Sequence, residues 1–234
     1  MARPETPAVA RMRALVHHWE QYSDQKAIFL RCYLLMTDNM LVAIERQEFN
    51  DPTWVNRLLQ RFANYYFVAL DAYQLSPTSS PRVWQLAHNS AKNPQVTSLQ
   101  NLLLGVNAHI NYDLVFTLVD LLQPEWTGLS PSQRSSRYAD HCQVNTVIGR
   151  TIDAAQDQVL EPGMPLMNWI DTLLGPLDEF LISRLITRWR ESVCQNATCL
   201  LDTQEAGNQA RLIGEIEAEA LQTGKIISGL DIVF

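Results

Sequence analysis

A histidine and an aspartate lie four residues apart in one of the most apolar stretches of the chain. The segment 102–116 places His109 and Asp113 among leucine, valine, isoleucine and aromatic residues. Residues four apart share one face of an α-helix. A histidine beside a carboxylate can act as a general base with its orienting partner, or the two can bind a metal ion. We therefore predict a functional site at His109 and Asp113.

Two asparagines, Asn107 and Asn111, have the same spacing on the far side of this helix. Apolar residues surround the helix, which predicts that it is central and buried. A polar side chain buried without a partner costs roughly 1–3 kcal/mol, so all four polar side chains need partners. We predict that Asn107 and Asn111 bind the substrate. In the alternative interpretation they bond to neighbouring helix ends, and His109 is a core histidine fixed by Asp113.

A second polar pair lies in the apolar segment 28–39. Arg31 and Asp38 are seven residues apart and so share a helical face. A buried guanidinium suits a carboxylate or a phosphate. Arg31 is therefore a candidate catalytic residue that could bind an anionic substrate, and Asp38 is a candidate substrate-binding residue. The structural alternative pairs Arg31 with Asp38 or with Asp113.

A third candidate, Asp140, lies in the segment 137–145. It could supply the further carboxylate that His109 and Asp113 would need to hold a divalent ion such as zinc, iron or manganese. The predicted metal ligands are therefore His109, Asp113 and Asp140. In the alternative interpretation, Arg137 and Asp140 form an ordinary surface ion pair of little energetic value.

The elements that must position these residues are predicted to be helices. Capping side chains precede prolines at 51–52, 80–81 and 130–131, a pairing typical of helix starts. Thr97 and Ser98 precede the apolar run that contains the predicted site. With the apolar spacing, these signals predict helices near 6–21, 24–48, 52–74, 81–91, 98–123, 131–160, 164–173, 176–201 and 204–222.

The composition indicates one folded domain. At 234 residues and 47% hydrophobic content, the chain can bury a sizeable core. The breaks between the predicted helices are too short for a flexible linker. We expect one all-α domain over residues 1–234, a multi-helix bundle around a buried central helix. The formal charge of −7 would repel phosphate backbones, so we expect no nucleic-acid partner.

The polar residues within segment 99–122 favour a core helix over a membrane span. The N-terminal residues lack the uninterrupted apolar core of a signal peptide. We expect a cytoplasmic protein with no membrane partner. The apolar segment 226–234 lacks helical length and is expected to dock against the body or a neighbouring subunit of a homo-oligomer.

The motif Asn107–Leu114 (NAHINYDL) resembles a bacterial family known only as a domain of unknown function. The likeness covers most of the chain, extending to 33–37, 61–67 and 137–145, and more weakly to 189–192. The resemblance implies a helical fold and a polar centre around His109 and Asp113. It implies no activity.

These observations predict a small-molecule enzyme that performs acid–base or metal-assisted chemistry at a buried His–Asp centre. His109 would be the base or a metal ligand, and Asp113 its orienting partner or a second ligand. Arg31, Asp38 and Asp140 could close the pocket. The alternatives are a non-catalytic module that binds an apolar or anionic small molecule or a partner helix, and a structural subunit of an oligomer.

Overall fold

The structure is a computed structural model, and it describes residues 5–157 and 179–229. Every regular element within these ranges is helical, which confirms the predicted all-α fold. A π-helical segment, Ala108–Asp113, joins the two halves of the central helix, and short 3-10 turns lie at Pro77–Ser79 and Trp126–Gly128. The α-helices are α1 (Pro7–Gln21), α2 (Lys26–Glu45), α3 (Pro52–Leu75), α4 (Arg82–Ser90), α5 (Ser98–Asn107), α6 (Leu114–Leu122), α7 (Pro131–Asp157), α8 (Glu179–Asp202) and α9 (Ala206–Gly229).

Most of the predicted helix starts have the expected caps. The Asp51 carboxylate accepts a backbone N–H in the first turn of α3, and Thr97 forms a reciprocal capping box with Gln100 at the start of α5. Ser80 differs, because its buried hydroxyl donates to the Ala69 carbonyl of α3 rather than capping α4. A tertiary contact has therefore replaced the local one that the sequence suggested.

The run of α5, the π-helical segment and α6 forms the centre of the bundle. Helices α2, α3, α4, α8 and α9 each pack against some part of it. Its residues Leu104, Ala108, Leu114 and Val115 are almost completely buried. The central, buried position predicted for this helix is what the structure shows.

Two helices are long and apolar enough to cross a membrane, Lys26–Glu45 and the combined helix Ser98–Leu122. In the protein, 56% and 72% of their most apolar windows are buried. The core helices of soluble proteins have the same length and composition, so this is weak evidence for a membrane span.

The last described helix is longer than predicted. The sequence indicates an end near residue 222, whereas α9 continues to Gly229. Ile227 is buried, and its carbonyl accepts a hydrogen bond of 3.0 Å from the Gln100 side chain of α5. Packing on α5 stabilises these extra turns, so residues 226–229 dock as helix. The predicted helix 164–173 and residues 230–234 lie outside the described residues.

Candidate functional site

His109 and Asp113 form a buried hydrogen-bonded pair. His109 Nδ1 lies 3.0 Å from Asp113 Oδ2, and the two side chains are 4% and 1% exposed. The Trp84 indole N–H donates to both Asp113 oxygens, at 3.1 Å to Oδ1 and 3.0 Å to Oδ2. An indole N–H can only donate, so it stabilises the charged carboxylate. From this network we assign the Nδ1–H tautomer to His109, which leaves Nε2 as an acceptor.

The pair lies in the π-helical segment, where the helix is locally wider than an α-helix. Such turns are frequent at functional sites. One turn further on, the Thr117 hydroxyl donates to the Asp113 carbonyl at 2.8 Å.

Aromatic rings enclose the imidazole of His109. The Phe62 ring lies parallel to it, with centroids 3.5 Å apart and planes 5° apart. Tyr33 meets it edge-on at 4.3 Å, and the rings of Phe29 and Tyr66 lie at 5.7 and 6.1 Å. These contacts hold the imidazole in one orientation and keep bulk water from it.

Burial shifts the pKa values of both partners. It lowers the pKa of His109 well below the usual range of an imidazole. It raises the pKa of Asp113 well above that of an ordinary carboxyl, and the hydrogen bond from Trp84 opposes this rise. The imidazole is therefore neutral at neutral pH. Its Nε2 is buried and has no hydrogen-bond partner among the described residues, so the lone pair of the neutral imidazole is available to accept a proton.

His109 lines a cavity of about 130 Å³. The cavity lies between α2, α3, the central helix, α7 and α8. An apolar cavity of about 150 Å³ in another protein is known to hold benzene, so a ligand of roughly that size fits here. The apolar part of the lining consists of Phe29, Met36, Met40, Val55, Leu58, Leu59, Phe62, Val106, Ile110, Leu114, Val144, Ile148 and Ile186.

Four other side chains with polar groups line the cavity: Cys32, Tyr33, Thr37 and Arg190. Burial raises the pKa of the Cys32 thiol to about 11. Burial, with a smaller contribution from the Asp113 charge, raises the pKa of Tyr33 well above its usual value. Both groups stay protonated at neutral pH, and a protonated thiol is a poor nucleophile. Among the described lining residues, His109 is thus the side chain that could accept a proton at neutral pH, and Arg190 is the cation.

Arg190 is buried on α8, only 3% exposed. Its Nε donates to Asn145 Oδ1 at 2.7 Å, and its Nη2 donates to the His141 carbonyl at 2.7 Å. Burial lowers the pKa of Arg190 to about 10, so the guanidinium keeps its charge at neutral pH. The sequence does contain a signal for it: Ile186, Arg190 and Val193 continue one apolar stripe at helical spacing, and an arginine there must be buried. Our sequence-based prediction of site residues missed it.

Arg31 and Asp38 are not brought to His109. Arg31 Nη1 lies 3.3 Å from Glu20 Oε1, and Asp38 Oδ2 lies 3.7 Å from Arg13 Nη2. Both partners belong to α1, and neither Arg31 nor Asp38 lines the cavity. The apolar face of α2 lines the cavity, and its polar face, with Arg31 and Asp38, contacts α1.

Asp140 also lies elsewhere, and the predicted metal ligands are not assembled. Its buried carboxylate accepts the backbone N–H groups of Asn50 at 2.6 Å and Asp51 at 2.9 Å, where the chain enters α3. Arg137 pairs with Asp51 and Glu125 rather than with Asp140. Within residues 5–157 and 179–229, no three histidine, cysteine or acidic side chains form a group that could hold a metal ion.

Asn107 and Asn111 join the central helix to α9. Asn107 Nδ2 donates to the Ala220 carbonyl at 2.9 Å, and Asn111 Nδ2 donates to Asn107 Oδ1 at 2.8 Å. Neither asparagine lines the cavity. They have structural partners, as in the alternative interpretation, but these partners are the middle of α9 and Asn107 itself rather than neighbouring helix ends.

Fold and site together define a class: an all-α protein in which an aromatic-enclosed His–Asp pair lies on an apolar cavity. The chain belongs to the family of unknown function DUF5995, whose model matches residues 6–229. The match agrees with the resemblance seen in the sequence and supplies no activity. Searches of the curated proteins and of the solved structures find no match.

Proposed function

We propose that this protein is a small-molecule enzyme in which His109 acts as a general base and Asp113 orients it. One observation carries the proposal: His109 lines the cavity, and its Nε2 is buried without a hydrogen-bond partner among the described residues. Such an atom costs roughly 1–3 kcal/mol. A ligand that donates a proton or a hydrogen bond to Nε2 relieves that cost.

The surroundings of His109 suit proton transfer. Asp113 accepts a hydrogen bond from Nδ1–H of His109, so the Nε2 lone pair points away from the carboxylate. When Nε2 takes a proton from the substrate, the Asp113 carboxylate 3.0 Å from Nδ1 stabilises the new imidazolium. The apolar walls make this attraction stronger than in water. The imidazolium can then return the proton to the product, so His109 serves as base and as acid.

Metal-assisted chemistry is a second candidate function, and the Nε2 of His109, free among the described residues, is the observation that favours it. The Nε2 of His109 is an imidazole nitrogen that can bind an ion such as zinc, iron or manganese, and Asp113 would orient it through Nδ1. Elemental analysis of protein purified without a chelating tag tests this. A stoichiometric metal that is lost in His109→Gln supports the metal, and active protein without metal contradicts it.

We propose a small molecule as the partner and the cytoplasm as the place of action. All four cysteines are free thiols, as is usual in a reducing compartment. The net charge of −7 disfavours nucleic acid as a partner.

The base is tested with 1,2-benzisoxazole, an apolar molecule of about the size that the cavity takes. A base removes the proton from C3, the N–O bond breaks, and 2-cyanophenolate forms, which is followed by its absorbance. We expect the wild type to accelerate this reaction over buffer and His109→Gln to lower the rate by about a hundredfold or more. The control is His18→Gln at an exposed histidine of α1, which should keep the wild-type rate.

Equal rates for the wild type and His109→Gln, or no acceleration by the wild type, contradict the base. Circular dichroism and thermal unfolding show whether each variant is folded. A separate outcome identifies the non-catalytic alternative: native mass spectrometry finds a retained small molecule, and the wild type leaves that molecule unchanged on prolonged incubation.

A further inference from the structure

The cavity has a base and a cation on different helices. His109 lines it from the central helix and Arg190 lines it from α8. The side chains between them, including Ile110, Leu114 and Val144, are apolar. A ligand that fills the cavity therefore meets a hydrogen-bond acceptor, an apolar wall and a positive charge.

The charge of Arg190 is not neutralised by any carboxylate whose side chain the structure describes. Its described hydrogen-bond partners are neutral: the Asn145 side chain, the His141 carbonyl and, at 3.4 Å, His141 Nδ1. These bonds use Nε and Nη2, and Nη1 makes none to the described residues. A charged group without a counter-ion is costly in an apolar interior. An anion bound in the cavity would offset this cost.

We propose that the protein binds a small monocarboxylate with an apolar body, whose carboxylate pairs with Arg190 while its other end lies at Nε2 of His109. The inference rests on the proposed function, since it names the substrate class for the same cavity. A volume of about 130 Å³ admits a body of about five or six carbon atoms, by comparison with a cavity of about 150 Å³ that holds benzene.

One negative charge fits better than two. A carboxylate neutralises the single guanidinium and can accept two parallel hydrogen bonds from it. A phosphate monoester carries nearly two charges at neutral pH, and one of them would remain uncompensated. Among the described side chains that line the cavity, Arg190 is the only lysine or arginine, so a second cation for a phosphate is lacking there.

The first experiment uses the wild type alone and compares hexanoate with hexanamide, which has nearly the same shape and no charge. Isothermal titration calorimetry at about pH 7 measures both affinities, and hexanoate is ionised at that pH. We expect hexanoate to bind at least about tenfold more tightly than hexanamide. Equal affinities, no binding of hexanoate, or tighter binding of hexyl phosphate than of hexanoate overturns the proposal.

The second experiment assigns the charge to Arg190. In Arg190→Gln, which can still donate to one neighbour, we expect hexanoate to lose at least about thirtyfold in affinity while hexanamide changes little. The matched control is Arg188→Gln, an exposed arginine on the same helix, which should bind both ligands as the wild type does. A variant Arg190→Gln that is folded and keeps the wild-type preference for hexanoate overturns the assignment. If Arg190→Gln does not fold, the comparison of hexanoate with hexanamide in the wild type still tests the proposal.

A third arm separates this inference from the proposed base. We expect His109→Gln to bind hexanoate within about threefold of the wild type, because the carboxylate contact does not involve the imidazole. Loss of hexanoate binding in this variant overturns the orientation proposed here. If 1,2-benzisoxazole is converted but hexanoate does not bind, the substrate class is wrong and the base stands. If hexanoate binds through Arg190 but benzisoxazole is not converted, the base is wrong and the anion site stands.

Discussion

Trp84 on α4 donates its indole N–H to both carboxylate oxygens of Asp113, 29 residues further along the chain. Both side chains are almost completely buried. The bond favours the ionised carboxylate and so lowers the pKa of Asp113, against the stronger upward effect of burial. Trp84 thereby sets the pH at which His109 has an anionic partner, although it does not line the cavity.

Replacing Trp84 with phenylalanine should move the pH dependence of base catalysis. Without the indole donor the pKa of Asp113 rises further, so the acid limb of the benzisoxazole rate profile should shift upward by about one pH unit. Trp54→Phe is the matched control, because the buried Trp54 Nε1 has no hydrogen-bond partner among the described residues. A profile that is unmoved in Trp84→Phe, or that moves equally in both variants, would show that the indole has no such role.

Gly105 allows α5 to approach α2 closely. A Cβ at this position would lie 2.7 Å from Cβ of Phe29 and 2.6 Å from its Cδ2. Gly105→Ala should therefore lower the free energy of unfolding by about 1–3 kcal/mol, measured by urea denaturation. Gly214→Ala on α9 is the control: nothing lies within 4 Å of its Cβ, and the change should stabilise by up to about 1 kcal/mol. Equal effects in the two variants contradict the close approach.

Three buried histidines should make the protein unstable in mild acid. Burial lowers the pKa of His88 and of His141 to about 3, and that of His109 well below its usual range. As the pH falls below about 6.5, the unfolded chain binds a proton at each of them while the folded chain does not, so unfolding is favoured. Asp113 acts in the opposite direction. Because its pKa is raised, the folded chain binds a proton there that the unfolded chain lacks.

The three histidines together take up as many as three protons on unfolding and Asp113 reduces that uptake, so the free energy of unfolding should fall by about 1 kcal/mol or more between about pH 6 and 5. Urea denaturation at fixed ionic strength measures it. His88→Gln should reduce the number of protons taken up on unfolding by about one, and so should reduce the dependence of the free energy of unfolding on pH. A free energy of unfolding that stays constant over this range would mean that the histidines are not buried in their neutral form.

Asp140 is predicted to act on stability alone. Asp140→Ala removes the buried carboxylate that accepts the backbone N–H groups of Asn50 and Asp51, so we expect a loss of about 1.5–3 kcal/mol in the free energy of unfolding. Asp71→Ala removes an exposed ion pair with Arg11 and should cost about 1 kcal/mol or less. The benzisoxazole rate should be unchanged in folded Asp140→Ala. Loss of a bound metal in this variant, with unchanged stability, would restore the predicted role as a metal ligand.

Features that depend on neighbours a few residues apart could be predicted from the sequence. Helical caps act within one turn, so Asp51 and Thr97 could be recognised as helix starts. An apolar surround and a spacing of four placed His109 and Asp113 together on a buried helix, and the structure joins them by a hydrogen bond.

The distant side chains that meet this pair could not be predicted, because they depend on how the helices pack. Trp84 donates to Asp113, 29 residues away, and Arg190 donates to Asn145, 45 residues away. Asp140 accepts the backbone N–H of Asp51, 89 residues away. Spacing along one helix shows which side chains share a face, but it does not show which helix packs on that face. The packing partner of each face depends on how all the apolar faces are buried together. For this reason Arg31 contacts α1, whereas Arg190 lines the cavity.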